Sequence, residues 1–327
     1  GLNDQITEEL SKVDNFAWTS WDCYRRLIQT WGMSHGLDRD KFDQIIFNYK
    51  KKFKVSQKID FKPSIMREIA FEYKKLLSEY NIAFEEDPFL QLKKAIISVF
   101  HSWNTPRAIA YRKHMLIAEE WGTAVTIQKM VLGNIHRESG SGVVFTKDEQ
   151  DPDDVLNLTG DFSFLSQGED IVGGLVKTLP ISEKQRIKGS YNSPISLEST
   201  YPVIFNKLKQ IASEMLDKKG FGHQEIEFTF ETSNPEDLYI LQTRNMSLTF
   251  QNKLEVFDVS EKKMIRVSNG IGIGNKALNG LIVFDLEDIA LLQINYPKRN
   301  SILVRPDTVP DDIEIIFECD GLITERG

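Results

Sequence analysis

The sequence predicts a mixed protein of the α+β class, with α/β as the neighbouring possibility, on three observations. The length of 327 residues suggests about two domains. Apolar residues recur at helical spacing up to about residue 95, and short strand-like runs between glycine-rich turns follow. Lys, Glu and Asp accumulate over residues 250–268, which indicates a further boundary. We therefore expect a helical subdomain at 1–95, a mixed region at 96–250 and a third part at 251–327.

The first part is predicted to consist of amphipathic helices. Bulky apolar residues recur there every three or four positions, which places them on one face of each helix. Pro63 lies near the start of the third stretch, where proline is tolerated. The residues that mark the three stretches are Trp21, Tyr24, Leu27, Ile28 and Trp31, then Phe42, Ile45, Ile46 and Tyr49, then Ile65, Ile69, Tyr73, Leu76 and Leu77. We interpret them as core rather than as a ligand cage.

The two later parts mix helices with short strands. Apolar periodicity predicts helices at Leu90–Phe100 and Pro202–Met215, and a turn at 310–312 opens another. The predicted strands are Ala124–Val131, Gly142–Thr146, a hairpin near residues 225–244, Leu281–Phe284 and Ser301–Val304. This mixture excludes an all-helical protein.

The hairpin is the most informative feature for function. In its first strand Glu225 and Glu227 alternate with apolar residues, so both carboxylates point to one face. In its second strand Gln242 and Arg244 share a face, and residues 234–237 supply the turn chemistry. Carboxylates suit Mg²⁺, and a planar guanidinium suits phosphate. These residues therefore indicate a site for a metal–nucleotide triphosphate, with a merely solvated hairpin face as the equal alternative.

Other patterns have weaker functional meaning. Gly272-x-Gly274-x-x-Ala277 fits a loose dinucleotide fingerprint, but it precedes a strand instead of following one, which favours a turn. The run Ser139–Thr146 could bring backbone N–H groups to phosphates or form a plain hairpin turn, and it lacks the lysine end of a P-loop. The five histidines have no zincin spacing and no neighbouring nucleophile, which disfavours a serine or cysteine hydrolase.

Composition excludes several classes of protein. The net charge of -8 argues against a general nucleic-acid binder, because phosphate contacts need clustered Lys and Arg. Cys23 and Cys319 give neither a CxxC metal site nor a disulfide framework, which favours a reducing compartment. Residues 1–10 are polar and acidic, unlike a signal peptide, and no apolar run approaches the roughly 18 residues of a membrane helix. We expect a cytoplasmic protein without nucleic-acid or membrane partners.

Several strings, in order along nearly the whole chain, resemble the pyruvate phosphate dikinase family and, more distantly, phosphoenolpyruvate synthase. Their combination is far more specific than any single glycine pattern. The strings are Gly1–Asp4, Tyr24–Gln29, Ser102–Ile109, Trp121–Val125, Gln128–Val131, Ser139–Thr146, Gln167–Val172, Glu227–Thr229 and Leu241–Asn245.

The resemblance implies an ATP-grasp fold that binds ATP and Mg²⁺. Glu225 and Glu227 would hold Mg²⁺, and Gln242 and Arg244 would face the phosphates, with Arg244 as the catalytic residue. The family has Asp where this chain has Glu225, and the turn before Leu238 is a few residues longer than usual. The resemblance also implies further contacts to the nucleotide. The residues concerned are Gln128, Lys129, Met130 and Val131 along the adenine, and Gln167 and Gly168 nearby.

The implied activity is transfer of phosphate from ATP to a histidine and then to pyruvate, giving phosphoenolpyruvate. By resemblance, the first ATP-binding segment would precede Gly1. Residues 270–327 look like the start of an incomplete swivelling phosphohistidine domain, before its histidine and the substrate barrel. We therefore expect pyruvate and phosphoenolpyruvate to be reached only through parts outside this sequence. Residues 1–327 alone are expected not to turn over ATP.

Two alternatives stay open from the residues. One is a non-catalytic nucleotide-binding or assembly module on the same scaffold. The other is an ATP-grasp carboxylate ligase, which fits the hairpin well and the swivel-like tail poorly. By the resemblance, the segment that would precede Gly1 normally covers apolar residues between 95 and 131, so without it we expect self-association, and possible homo-oligomers, or rearranged packing there.

Overall fold

The computed structural model describes residues 1–148, 155–172, 176–188, 193–246, 277–306, 308 and 312–325. It confirms a mixed α+β protein. The chain divides into two compact units, the first made of Gly1–Phe100 and Val125–Met246, the second of His101–Ala124 and Ser247–Gly327. The three-part division at residues 95 and 250 remains a prediction.

The first hundred residues are helical, as the periodicity predicted. The helices are α1 (Asp4–Leu10), α2 (Ala17–Ser34), α3 (Arg39–Phe53), α4 (Pro63–Glu79) and α5 (Pro88–Ser102), with a short 3₁₀ turn at Lys58–Asp60. Pro63 is the first residue of α4, where its missing N–H costs no helical hydrogen bond. The apolar faces of α2, α3 and α4 form one core, whose fully buried members include Tyr24, Ile28, Phe42, Met66, Ile69 and Tyr73.

Helix α5 has an apolar face of similar character that stays in contact with solvent. Phe89 is 83% exposed, and Leu90, Ile97 and Phe100 are also exposed. By contrast, Ile69 on α4 is fully buried. The predicted apolar surface in this part of the chain is therefore confirmed for α5.

The rest of the first unit is built on a five-stranded antiparallel sheet. Its strands are β1 (Gly140–Phe145), β2 (Thr159–Phe164), β3 (Leu179–Pro180), β4 (Gln224–Phe230) and β5 (Leu238–Asn245), in the order β3-β2-β1-β4-β5. The accompanying helices are α7 (Gly168–Val172), α8 (Glu183–Lys188), α9 (Leu197–Thr200) and α10 (Pro202–Ser213). One face of the sheet packs against α10 through Ile204 and Leu208 to form the second core.

Residues 140–142 of the glycine-rich run belong to the central strand β1 and not to a loop. Gly140 lies opposite Phe230 on β4, and Gly142 lies opposite Phe228. A Cβ atom at Gly142 would approach the Phe228 ring to 2.5 Å, so the missing side chains make room for these rings. The glycines are thus explained by packing within a strand, so residues 140–142 form neither the phosphate loop nor the hairpin turn that the sequence suggested.

The prediction of a strand at Ala124–Val131 is wrong. Residues 122–132 have no regular secondary structure, and Ile127 and Met130 are exposed. A strand needs a neighbouring strand for its hydrogen bonds, and alternating side chains alone do not supply one. The segment is instead anchored at its end, where the Leu132 N–H donates at 3.0 Å to Oε1 of Glu231, the residue that follows β4.

The second unit contains a small parallel sheet, β6 (Gly280–Val283), β7 (Asn300–Arg305) and β8 (Gly321–Thr324), in that order. Its helices are α6 (Pro106–His114), α11 (Leu286–Asn295) and α12 (Ile313–Glu318). Val283, Leu303 and Ile289 form its core. The strands predicted at 281–284 and 301–304 are confirmed.

The Gly272-x-Gly274 pattern and the charged stretch at 250–268 lie outside the described residues. Among the described residues, no helix is both long and apolar enough to span a membrane.

Candidate functional site

The hairpin of β4 and β5 separates apolar from charged side chains. On β4, Ile226, Phe228 and Phe230 are buried in the second core. Glu225 and Glu227 alternate with them and are only partly buried on the opposite face. The predicted placement of both carboxylates on one face is therefore confirmed by the backbone register.

A β-bulge at Leu241 brings residues of β5 to that same face. Glu227 lies opposite Gln242, whereas Phe228 lies opposite Ile240, so Leu241 is an extra residue in β5. Without it, Gln242 would follow Ile240 onto the apolar face, because side chains two apart share a face. Bulges commonly redirect a side chain in this way. Sequence reasoning found the shared face of Gln242 and Arg244 but missed the bulge that joins it to the carboxylates.

Arg244 and Glu225 form an ion pair across the two strands. Arg244 Nη2 donates to Glu225 Oε1 at 2.7 Å, and the Arg244 side chain is 56% exposed. The hydrogen bond with Glu225, together with the nearby Glu227, raises the pKa of Arg244 above its ordinary value. Arg244 therefore keeps its charge, and the pair is open to solvent, where water or a ligand can replace either partner.

The donor set fits a magnesium–phosphate complex better than a metal ion alone. No group of three or more His, Cys, Asp or Glu side chains in the described part of the chain is arranged to hold a metal. Mg²⁺ commonly takes only one or two protein carboxylates and fills its remaining positions with water and substrate phosphates. Glu225 and Glu227 supply two carboxylates beside a guanidinium that can pair with phosphate oxygens.

The other predicted nucleotide-binding residues lie on separate segments of the first unit. Gln128, Lys129, Met130 and Val131 lie in the irregular segment that ends at Leu132, and Lys129 and Met130 are exposed. Gln167 is buried and donates through Nε2 to Asn134 Oδ1 at 2.9 Å. Gly168 is the first residue of α7. Their contacts with nucleotide remain a prediction.

Sequence reasoning missed a charged network centred on the buried Asp22 and formed by Asp22, Arg25, Arg26, Lys58, Glu169 and Asp170. Asp22 on α2 has a fully buried side chain and accepts from Arg25 Nη2 and Arg26 Nε, each at 2.9 Å. Lys58 Nζ lies 3.3 Å from Asp22 Oδ1. Arg26 also donates to Asp170 at 2.5 Å and pairs with Glu169. The network ties α2 to the 3₁₀ turn and to α7.

Opposing effects set the pKa values in this network. Burial alone would raise the pKa of Asp22, but Lys58, Arg25 and Arg26 hold it well below its usual range. Burial lowers the pKa of Lys58 to about 8, although Asp22 opposes the change. The available signal in the sequence was an Asp three and four residues before two arginines on an apolar-faced helix, which is the spacing of helical ion pairs.

Comparisons with known proteins place the chain in a family. Residues 2–188 match the family described as pyruvate phosphate dikinase, AMP/ATP-binding domain. Similar proteins include the pyruvate, phosphate dikinases of Rhizobium meliloti (32% identical), Rickettsia typhi (31%) and Clostridium symbiosum (30%).

Each alignment covers 100% of this chain and 39% of the relative, so the chain spans about two fifths of these relatives' length. The family match ends before the hairpin, while the alignments to the relatives include it. The chain therefore belongs to the family of pyruvate phosphate dikinase AMP/ATP-binding domains.

Proposed function

We propose that the charged face of the β4–β5 hairpin binds the triphosphate of ATP together with Mg²⁺, in a nucleotide site of ATP-grasp type. The observation that carries the proposal is the bulge at Leu241, which places Gln242 and Arg244 beside Glu225 and Glu227. A strand that interrupts its own alternation to bring four polar groups together indicates a selected site rather than an ordinary solvated face.

The four side chains have complementary roles. Glu225 and Glu227 hold Mg²⁺, which neutralises phosphate charge when bound. Arg244 exchanges its bond to Glu225 for a phosphate oxygen, and this exchange frees the carboxylate for the metal. Gln242 lies opposite Glu227 and donates its amide N–H groups to the phosphates. Gln128 to Val131 line the adenine, with Gln167 and Gly168 near the nucleotide.

In the longer protein we propose that this site supplies phosphate to a histidine and then to pyruvate. Phosphoryl transfer depends on positioning and charge neutralisation more than on a protein nucleophile. A metal clamp with an arginine is therefore the part of the machinery that such a domain contributes. The exposed apolar face of α5, with Phe89 and Phe100, is proposed to pack against protein, including a second copy of the chain.

Calorimetric titration tests the binding site directly. We expect ATP to bind in the presence of Mg²⁺ and to bind much more weakly in excess chelator. Adenosine should bind more weakly than ATP does under either condition. This order follows if the metal and the phosphates provide most of the contacts. Equal affinity with and without metal would contradict the proposal, as would equal affinity for ATP and adenosine. A nucleotide bound without its phosphates engaged would instead favour a non-catalytic binding module.

A further inference from the structure

We propose that Gln224 is a positioning residue for Arg244, a role that rests on the proposed function of the hairpin. Gln224 is the first residue of β4 and points to the face opposite Glu225. It is 2% exposed, although the other β4 residues on that face, Ile226, Phe228 and Phe230, are apolar. A buried amide in such a place costs free energy unless its hydrogen bonds are made.

The Gln224 side chain contacts both neighbours of Arg244. The Thr243 hydroxyl donates to Gln224 Oε1 at 2.8 Å. Gln224 Nε2 donates to Asn245 Oδ1 at 2.6 Å and to the Gly222 carbonyl at 2.8 Å. Both groups of the amide are therefore satisfied, and the bonds hold the residues on either side of Arg244.

The backbone of Gln224 is fixed as well. Its N–H donates to Thr146 Oγ1 at 2.8 Å, and its carbonyl accepts from the Thr146 N–H at 2.9 Å. Thr146 follows β1, the central strand of the sheet. Gln224 thus links the exposed end of edge strand β5 to the centre of the sheet.

The consequence concerns the direction of the guanidinium. Thr243 and Asn245 share the face opposite Arg244, so holding both toward Gln224 turns Arg244 toward Glu225 and Glu227. Edge strands are held on one side only and move more easily than central strands. Without Gln224, we expect the end of β5 to loosen and Arg244 to spend less time in the phosphate-binding position.

Removing the amide at nearly constant volume tests the role. We expect Gln224→Met to weaken Mg·ATP binding about tenfold, because a buried hydrogen-bonded amide is lost. Thr243→Val removes one of the two flanking bonds at an exposed position and should weaken binding by a smaller factor. The control Ile226→Val lies one strand position further along the same face and should leave the affinity within about twofold.

A double-mutant cycle separates positioning from general loosening of the fold. In an Arg244→Met background, Gln224→Met should change the affinity less than twofold, because the residue that it positions is already gone. An equal loss in both backgrounds would overturn the proposal, as would an unchanged affinity of the single variant.

Amide hydrogen exchange supplies a readout that needs no nucleotide. Gln224→Met should accelerate exchange at residues 243–246 and leave residues 238–240 of the same strand nearly unchanged. Uniform acceleration along β5 would overturn the positioning role. If the parent chain shows no binding of Mg·ATP, the proposed function fails, whereas the exchange pattern still decides whether Gln224 orders this end of the strand.

Discussion

Two clusters of carboxylates and guanidinium groups in the same unit differ chiefly in burial. In the network on α2, the side chain of Asp22 is fully buried and that of Arg25 is 5% exposed. In the hairpin, Arg244 is 56% exposed and Glu225 is 22% exposed. The residue types are nearly the same, and both clusters form close hydrogen-bonded ion pairs.

The difference in burial decides what each cluster can do. A buried charge must be neutralised by neighbours that stay in place, since losing one partner leaves an uncompensated charge. Asp22 accordingly has Arg25, Arg26 and Lys58 around it. An exposed pair gains little from its partner, so it can exchange that partner for a ligand at low cost. We infer that the first cluster holds the fold and the second is available for binding.

The largest expected loss of stability follows from a substitution in the buried cluster around Asp22. Asp22→Asn should lower the free energy of unfolding by about 3–5 kcal/mol, because it removes the charge that compensates three cations. The matched control is Asp43→Asn, whose partner Arg39 lies 3.7 Å away on the surface of α3. Urea unfolding should show a control effect below about 1 kcal/mol. Similar losses in both variants would remove the distinction between the two clusters.

The titration of Lys58 is expected to have a smaller effect on the free energy of unfolding. Its pKa falls from 10.5 to about 8 in the folded chain. Between these values the unfolded chain binds more protons, so this lysine makes the fold more stable as the pH rises. At about 1.4 kcal/mol per pKa unit, the full change in pKa corresponds to roughly 3–4 kcal/mol, of which about 2–3 kcal/mol is gained between pH about 7 and about 10.

Lys58→Met should abolish that gain. The measurement is urea unfolding of parent and variant at pH about 7 and about 10, where the difference between the two proteins reports Lys58 alone. If the difference does not change with pH, Lys58 does not titrate in this window and is better solvated than its burial indicates.

Local sequence patterns predicted the helices and strands well where the apolar face of the element packs against another element. The apolar spacing in residues 63–79 predicted α4, and its residues are buried. The same kind of pattern predicted α5, but periodicity does not say what covers an apolar face, and this one is exposed. For residues 124–131, a short strand-like run suggested a strand, yet strand formation depends on a pairing partner that a single segment does not reveal.

The sequence predicted which residues form the candidate site, but it did not predict how the two strands bring them together. Alternation on β4 was enough to place Glu225 and Glu227 together. The extra residue at Leu241 depends on how β5 pairs with β4, which is non-local. In the charged network, Arg26 bridges Asp22 and Asp170, which lie 148 positions apart in the sequence. Helical spacing can therefore predict only the ion pairs within α2.

The most direct test of the central claim is the affinity of Glu227→Gln for Mg·ATP, measured by calorimetric titration. The control is Glu68→Gln, which removes the same charge from an exposed position on α4. We predict that Glu227→Gln weakens binding at least about tenfold, or about 1.4 kcal/mol. Its thermal midpoint without nucleotide should stay at the parent's value, and the control should bind as the parent does. If Glu227→Gln binds Mg·ATP as tightly as the parent, the charged face of the hairpin is only a solvated surface.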